Sequence, residues 1–295
     1  MTASALAPAK VNLYLHVGPP GADGFHPLQT LMVFADIGDE VSLAAKAGPA
    51  LEISGAFAPD LAGGDNLVTR AAALLAARTG RGGEGTSLRL DKRLPVAAGL
   101  GGGSADAAAA LRLLNQAWGA GLGAAALEAL AAELGSDVPA CVRSQPVTAS
   151  GRGEILSPAP RLPPLHAVLA NPGVACPTGA VYRAFDLSAP PLGPEPEPDP
   201  GDLSGLAQAI GWLSGLRNDL EAPAITVAPA IAGVLEGLRG SGEALLSRLS
   251  GSGATCFALC EDAPAARRLA SRLARKHPGW WVRACRLGAP LSDPA

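Results

Sequence analysis

The sequence predicts an α+β fold of two domains. Its 295 residues are about twice the length of a typical domain. Segments with the two-residue alternation of strands mix with segments of helical periodicity, without the regular strand-helix alternation of a doubly wound sheet. The chain is 48% hydrophobic but only 4% aromatic, so we expect its core to consist mainly of Ala, Leu and Val.

The first third of the chain is predicted to contain mainly strands and turns. Residues 9–17 alternate apolar and polar side chains up to Gly18-Pro19-Pro20-Gly21, as a half-buried strand does before a loop. Four polar or aromatic side chains are expected on one face of this strand: Lys10, Asn12, Tyr14 and His16. Further strands are predicted at residues 29–33, 40–43 and 86–90, and a helix at residues 66–79.

Longer helices follow in the rest of the chain. One is predicted from Ser104 to Trp118-Gly119, and others at residues 124–134, 203–213, 231–238 and 264–276. The intervening strands are expected at residues 147–150 and 167–170, with a strand-turn at 245–259 and a closing strand at 281–286. Prolines interleaved with acidic residues predict an extended loop over residues 190–200.

Charge and cysteine usage disfavour several classes of function. The net charge of -3 makes a nucleic acid or an anionic membrane surface a poor partner. No apolar stretch of 18 residues and no signal-peptide pattern occurs, which predicts a cytoplasmic protein. Five cysteines without CxxC and four histidines without HExxH predict reduced, buried thiols rather than a metal site.

A glycine-rich segment joins a predicted strand to the long helix. Its residues are Pro95, Val96, Ala97, Ala98, Gly99, Leu100, Gly101, Gly102, Gly103, Ser104 and Ala105. Backbone N–H groups at such a junction, together with the positive end of the helix, favour phosphate binding. The spacing fits neither GxGxxG nor a Walker loop. The alternative is a plain turn in which Ser104 caps the helix.

Seven segments in order resemble the GHMP kinase superfamily, and together they cover nearly the whole chain. They are residues 8–13, 22–30, 95–105, 135–139, 151–154, 218–221 and 249–254. The resemblance implies two domains around a cleft. The first, residues 1–156, would be of the ribosomal protein S5 domain 2 type and would carry the ATP-binding glycine loop. The second, residues 157–290, would be ferredoxin-like.

The resemblance also implies a kinase that uses ATP and Mg²⁺, with Lys10 and Asp137 as its catalytic pair. By the same resemblance, the start AKxNLxL and the segment DGxHxLQT imply a cytidine diphosphate derivative of methylerythritol as the small-molecule substrate. Phosphoryl transfer needs charge stabilisation and a carboxylate that accepts the hydroxyl proton, and a neighbouring lysine would keep that carboxylate ionised. Taken alone, Asp137 could instead cap a helix, and Lys10 could be a solvated strand residue.

The same resemblance suggests residues for substrate binding. Asn12 could bind the polyol or diphosphate, although a surface role is an almost equal alternative. Phe25 and His26 resemble a cytidine pocket, in which an aromatic ring stacks on the base. Tyr182 would form a second aromatic wall, a role that Phe185 could fill instead. No acidic magnesium ligand is identified, and the loss of a second serine at Ala105 weakens a two-serine site.

The same residues allow other functions and assemblies. Asn66 and Asp106 could lie near the adenine or be ordinary helix-end residues. Another small-molecule GHMP kinase, or a GHMP-like protein that binds a ligand without turnover, would also fit the segments. We expect a monomer or a weak homodimer.

Overall fold

The computed structural model describes residues 3–44, 50–61, 65–81, 86–188 and 200–288. The predicted Pro-rich loop at residues 190–200 lies outside these ranges, apart from Pro200. Within them, strands and helices mix as an α+β fold requires, which confirms the predicted class.

Two long antiparallel strands organise the N-terminal half. β1 (Ser4–Val17) pairs with β2 (Leu28–Leu43), which replaces the two separate strands predicted at residues 29–33 and 40–43. In the sequence, Asp36 and Gly38 interrupt the alternation of apolar and polar residues between these two predicted strands. In the structure β2 continues through them. A Cβ at Gly38 would lie 2.1 Å from the Ala7 carbonyl oxygen, so the glycine permits a close approach of β1 and β2.

Shorter elements complete this half. The strands are β3 (Leu51–Ser54), β4 (Leu88–Asp91), β5 (Val147–Ser150) and β6 (Ile155–Pro158). The helices are α1 (Leu67–Thr79), α2 (Gly102–Ala117), α3 (Ala124–Ala132) and α4 (Val138–Arg143), with a 3-10 turn at Ala58–Leu61. The alanines of α2 from Ala107 to Ala110 are fully buried, as expected for an alanine-rich core. Their small side chains let the helix pack closely against the strands.

The C-terminal half has a second antiparallel sheet. Its strands are β7 (Leu165–Asn171), β8 (Ala244–Leu249), β9 (Cys256–Cys260) and β10 (Trp281–Leu287), in the order β10-β7-β9-β8. The helices are α5 (Thr178–Asp186), α6 (Leu206–Ser214), α7 (Glu221–Val227), α8 (Ala230–Arg239) and α9 (Ala263–Lys276). This order, with α8 and α9 in the two crossovers, is the ferredoxin-like arrangement. Pairing of Leu287 with Ala35 joins the two sheets. The predicted domain boundary at residue 156 falls inside β6 and stays a prediction.

A β-bulge in β1 corrects the predicted arrangement of its side chains. The pairing with β2 skips Leu13, because Asn12 pairs with Met32 and Tyr14 with Leu31. The extra residue reverses the alternation, so Tyr14 joins the same apolar cluster as Val11 and Leu13 instead of the face of Lys10 and Asn12. His16, two residues further on, contacts the Tyr14 ring at a centroid distance of 5.1 Å. The four side chains therefore do not share one face.

Side chains from distant segments satisfy the carbonyl groups of the bulge. Arg248 Nη1 donates to the Leu13 oxygen at 2.6 Å, and Thr30 Oγ1 donates to the Tyr14 oxygen at 2.5 Å. Burial lowers the pKa of Arg248 to about 10, which leaves it charged at neutral pH. The bulge is thus held in place by the two elements that pack on it.

The five cysteines are all free and buried, as predicted. In the described ranges, no three His, Cys, Asp or Glu side chains form a group that could hold a metal ion. Among the helices of those ranges, none combines the length and the apolar character needed to cross a bilayer.

Candidate active site

A cleft of about 700 Å³ lies between the two halves of the molecule. Most of the predicted site residues line it: Lys10, Asn12, Phe25, His26, Ala97, Ala98, Gly99, Gly101, Gly102, Gly103, Ser104, Asp137 and Tyr182. Four members of the predicted glycine loop do not: Pro95, Val96, Leu100 and Ala105. Leu100 and Ala105 are buried instead. Their side chains anchor the loop in the core, while the glycines between them face the cleft.

The glycine loop passes directly into α2. This helix begins at Gly102 and not at Ser104, because Gly101 takes the N-cap position with a φ of +61°. The first hydrogen bond of the helix runs from Ala105 N to Gly101 O, at 2.9 Å. Ser104 therefore lies in the first turn and does not cap the helix. The N–H groups of that turn have no partners within the helix, which makes this end suited to an anion.

The turn at residues 249–254 supports the glycine loop from behind. Ser250 Oγ donates to Gly99 O at 2.9 Å, and Thr255 N donates to Ala98 O at 3.0 Å. Ala97 has a φ of +50°, a left-handed conformation that favours glycine. The two glycine-rich segments of the sequence are thus parts of one structure.

Replacing Gly99 by alanine should displace the loop. Gly99 has a φ of +74°, and a Cβ there would lie 2.3 Å from the Ser250 carbonyl oxygen. If the loop binds ATP, as the resemblance implies, the Gly99→Ala variant should raise the KM for ATP about tenfold, because the loop must move to relieve the contact. Gly80→Ala is the matched control, since Gly80 also has a positive φ, +61°, but open space around its Cβ position. Equal KM values for the two variants would contradict this role of Gly99.

Lys10 and Asp137 meet in the cleft although the sequence separates them widely. Lys10 Nζ lies 2.9 Å from Asp137 Oδ2 and also donates to Asn12 Oδ1 at 2.9 Å. The lysine side chain is 7% exposed and the aspartate 32%, so the carboxylate is the partner open to a ligand. Asp137 occupies the N-cap position of α4, but its side chain makes no capping hydrogen bond. Neither simple structural alternative for these two residues is therefore met.

Thr30 extends this group, and the sequence did not single it out. Asn12 Nδ2 donates to Thr30 Oγ1 at 2.8 Å, while the Thr30 hydroxyl donates to the main chain of the β1 bulge. Asn12 is buried, and both the oxygen and the nitrogen of its side-chain amide are hydrogen-bonded, so it is not a surface residue. Its carbonyl oxygen positions the Lys10 ammonium group. The only signal for Thr30 in the sequence was its place at the end of the DGxHxLQT segment.

An aromatic pocket lines the same cleft. The His26 ring lies 5.0 Å from Tyr182 and 5.7 Å from Phe185, measured between centroids. His26 Nδ1 is 2.8 Å from Gly18 O, and its Nε2 is 3.3 Å from Asp186 Oδ1. Tyr182 lines the cleft, whereas Phe185 is 4% exposed and belongs to the core. Tyr182 is thus the wall of the pocket, and Phe185 packs against the His26 ring from the core.

Burial determines the protonation of two groups near Asp137. It raises the pKa of Tyr182 to about 12, and the Asp137 charge adds to the shift. It likewise raises the pKa of Cys141 to about 12, with a further contribution from Asp137. Tyr182 therefore keeps its hydroxyl proton at neutral pH, and the Cys141 thiol is not a nucleophile.

A buried group of charges beneath the glycine loop is the largest feature that sequence reasoning missed. Lys92 Nζ lies 2.5 Å from Asp39 Oδ2 and 2.7 Å from Asp106 Oδ2, and all three side chains are at most 4% exposed. Asp39 Oδ1 accepts the backbone N–H groups of Arg93 and Leu94, which lead into the loop. Asp106 belongs to α2, which follows the loop. This triad of Asp39, Lys92 and Asp106 thus fastens both ends of the glycine loop.

Asn66 and Asp106 have structural partners. Asn66 caps α1 by accepting from Val68 N, and neither side chain lines the cleft. The sequence held one signal for the partner of Asp106. Lys92 is one of only four lysines in the chain, and a residue type used so rarely is a candidate for a specific contact.

The Asp106 carboxyl should make stability depend on pH. Burial raises its pKa from 3.8 to about 7; the Lys92 charge opposes this shift, and Asp39 adds to it. Cys141 of α4 is a further titratable group near Asp106; burial chiefly raises the pKa of its thiol, and the Asp106 charge makes a small contribution. The folded chain therefore binds more protons than the unfolded chain between pH 3.8 and about 7. Its unfolding free energy should fall as pH rises through this window.

Asp106→Asn should remove that part of the pH dependence. Urea denaturation at several pH values measures the difference, with Asp60→Asn, at an exposed carboxyl of the 3-10 turn, as the control. If wild type and Asp106→Asn have the same slope of stability against pH, Asp106 is already ionised throughout the window.

Two family models match the chain. "GHMP kinases N terminal domain" matches residues 66–145, and "GHMP kinases C terminal" matches residues 197–279. A 4-diphosphocytidyl-2-C-methyl-D-erythritol kinase of Caulobacter vibrioides strain NA1000 is 55% identical over 289 residues, which are 97% of this chain and 100% of the relative. The enzyme of that name from Hyphomonas neptunium is 48% identical over 291 residues, 97% of each chain.

Solved structures agree with these relatives. A crystal structure of 4-(cytidine 5'-diphospho)-2C-methyl-D-erythritol kinase superposes with a TM-score of 0.74 at 35% identity, covering 97% of this chain and 99% of the other. A mevalonate kinase of L. major in complex with R-mevalonate superposes with a TM-score of 0.68 at 14% identity, over 100% and 97% of the two chains. The second likeness concerns the fold alone.

Proposed function

The chain belongs to the GHMP kinase family and, within it, to the 4-diphosphocytidyl-2-C-methyl-D-erythritol kinases, and on that premise we propose how its cleft works. The reaction transfers the γ-phosphoryl group of ATP to the 2-hydroxyl of the cytidyl substrate, in the non-mevalonate route to isoprenoid precursors. The observation that chiefly supports the site assignment is the 2.9 Å contact between Lys10 Nζ and Asp137 Oδ2, in a cleft that the glycine loop also lines.

Asp137 is the general base in this proposal. Its carboxylate takes the proton of the 2-hydroxyl as the oxygen attacks the γ-phosphorus, and the bond to the leaving oxygen of ADP breaks. Lys10 places a positive charge beside the Asp137 carboxylate and beside the phosphoryl group in transfer, whose oxygens carry the spreading negative charge. Asn12 and Thr30 hold the lysine in this position through two hydrogen bonds.

The glycine loop and the start of α2 bind the phosphates of ATP. The main-chain N–H groups of Gly102, Gly103 and Ser104 provide donors, and the helix end provides a positive potential. The cleft also fits Mg²⁺, which in nucleotide sites takes most of its ligands from phosphates and water and needs few from the protein. Ser104 would offer it a hydroxyl, and the ion would neutralise charge on the phosphates.

Phe25, His26 and Tyr182 bind the cytosine end of the substrate. The aromatic walls supply stacking, worth about 1–3 kcal/mol for a base. Asp186 and the Gly18 carbonyl hold the His26 ring between them, so the imidazole has a defined orientation for reading the pyrimidine. We keep a cytoplasmic location, and a monomer or weak homodimer, as predictions.

An assay of ADP release tests the proposed function. The purified protein with ATP and Mg²⁺ should release ADP when 4-diphosphocytidyl-2-C-methyl-D-erythritol is added, and ³¹P NMR should detect a new phosphate monoester on the product. Homoserine and mevalonate are the controls. ADP release with either of these alone would assign the chain to another activity of the family, and tight binding of the cytidyl compound without turnover would indicate a ligand-binding protein.

A further inference from the structure

The turn between β5 and β6 places an arginine over an exposed aromatic ring. The guanidinium carbon of Arg152 lies 4.0 Å from the centroid of the Phe25 ring, within the range of a cation–π interaction. Both side chains line the cleft. Phe25 is still 54% exposed. The guanidinium group therefore covers part of the ring and leaves enough of it open for a planar ligand.

Asp23 links Arg152 to the backbone of Phe25, the residue whose ring the arginine covers. One oxygen of the Asp23 carboxylate pairs with the Arg152 guanidinium group, and the other accepts the backbone N–H of Phe25 at 3.0 Å. The hydrogen bond from Phe25, and then the Arg152 charge, lower the pKa of Asp23, so the pair is intact at neutral pH. A single carboxylate thus connects the ring's own loop to the turn that carries the arginine.

Backbone contacts fix the two loops relative to each other. Leu28 N donates to Gly151 O at 2.8 Å. Gly151 precedes Arg152 directly, and Leu28 follows Phe25 by three residues. Arg152 N donates to Glu154 Oε2 at 2.6 Å, which closes the turn. The position of Arg152 over the ring is therefore set by the main chain as well as by its side-chain contacts.

We propose that Arg152 is a positioning residue for the nucleobase of the substrate: it stacks on Phe25 and holds that ring in the orientation that receives cytosine. Without a stacking partner, the exposed Phe25 ring would lose rotational freedom when the base binds, and this loss would weaken binding. The guanidinium group orders the ring beforehand, so that cost is avoided. The inference rests on the proposed function, because it takes Phe25 as the platform for the base. It makes no demand on ATP, which binds at the glycine loop.

The Arg152→Gln variant tests this role by steady-state kinetics. Losing the stacked cation should raise the KM for the cytidyl substrate about two- to fivefold, while kcat and the KM for ATP stay at wild-type values. Asp23→Asn should shift the same KM in the same direction, because it releases the guanidinium group. Arg89→Gln is the matched control, since Arg89 is an exposed arginine that pairs with Glu52 on the sheet and does not line the cleft.

A double-mutant cycle with Phe25→Ala distinguishes stacking from direct contact with the substrate. If Arg152 acts through the ring, Arg152→Gln should have no further effect in the Phe25→Ala background. An equal increase in both backgrounds would mean that Arg152 contacts the substrate's diphosphate itself, and an unchanged KM in the single variant would mean no role; either result overturns the inference. Inactivity of the wild type on the cytidyl substrate would instead refute the proposed function.

Discussion

Replacing Asp137 by asparagine should lower kcat by about 10² to 10⁴, because the side chain keeps its shape but can no longer accept the hydroxyl proton. The KM values for both substrates should change little, since the variant alters a step that follows binding. The folded state should lose some stability as well, because the buried Lys10 ammonium group loses its carboxylate partner, although it keeps its hydrogen bond to Asn12 Oδ1. Single-turnover quench-flow measurements would separate the chemical step from product release.

Asp65→Asn is the control for this variant. Asp65 is an exposed carboxylate next to α1, with its nearest ion-pair contact at 3.8 Å, to Arg70. The control should turn over at the wild-type rate. If Asp137→Asn does so as well, the base must be another group, and the Lys10–Asp137 pair would have a structural role only.

Replacing Lys92 by methionine should destabilise the protein by about 3–5 kcal/mol, the cost of removing one partner from a buried ion pair. Methionine fills a similar volume, so the loss of charge is the dominant change. Asp39 and Asp106 would then lie close together in the interior without the ammonium group that both now contact. The midpoint of urea unfolding measures the effect, and the KM for ATP should rise as well, because the triad fastens both ends of the glycine loop.

Two further variants separate charge from packing at this position. Lys92→Met combined with Asp106→Asn should regain part of the lost stability, because one buried carboxylate is removed with the ammonium group. Lys276→Met, at the exposed end of α9, should change the unfolding free energy by no more than about 0.5 kcal/mol. A Lys92→Met protein as stable as wild type would show that Asp39 and Asp106 adjust without the lysine.

Local patterns in the sequence predicted most of the regular elements. The strand at residues 9–17, the helices α1 and α9, and the junction of glycine loop and helix are all present in the structure with shifted ends. The predicted half-buried alternation at residues 9–17 was wrong, because both faces of β1 are covered and its bulge interrupts the alternation. Short elements were missed where local propensity is weak. The helix α5, for example, begins Thr-Gly-Ala-Val, which includes two β-branched residues and a glycine that disfavour a helix in isolation.

The arrangement of the active site depended on contacts that leave no local trace in the sequence. The bulge at Leu13 changes the face of every later residue of β1, and Arg248 and Thr30 satisfy its carbonyl groups. The pairing of Asp39 with Lys92 joins residues 53 positions apart, and that of Asp23 with Arg152 joins residues 129 positions apart. Neither pairing shows in the pattern of its own segment.

The sequence by itself therefore determined the α+β class, through the mixture of strand and helix periodicities along the chain. It also predicted the glycine loop from residue types and spacing within one segment, whereas the candidate catalytic pair followed from the resemblance of several segments to the GHMP kinases. Only the tertiary structure decided that Lys10 touches Asp137, that a buried triad of charges fastens the loop, and that Arg152 covers Phe25. These contacts form where separate segments pack together, and the free energy of a charge depends on what packs around it.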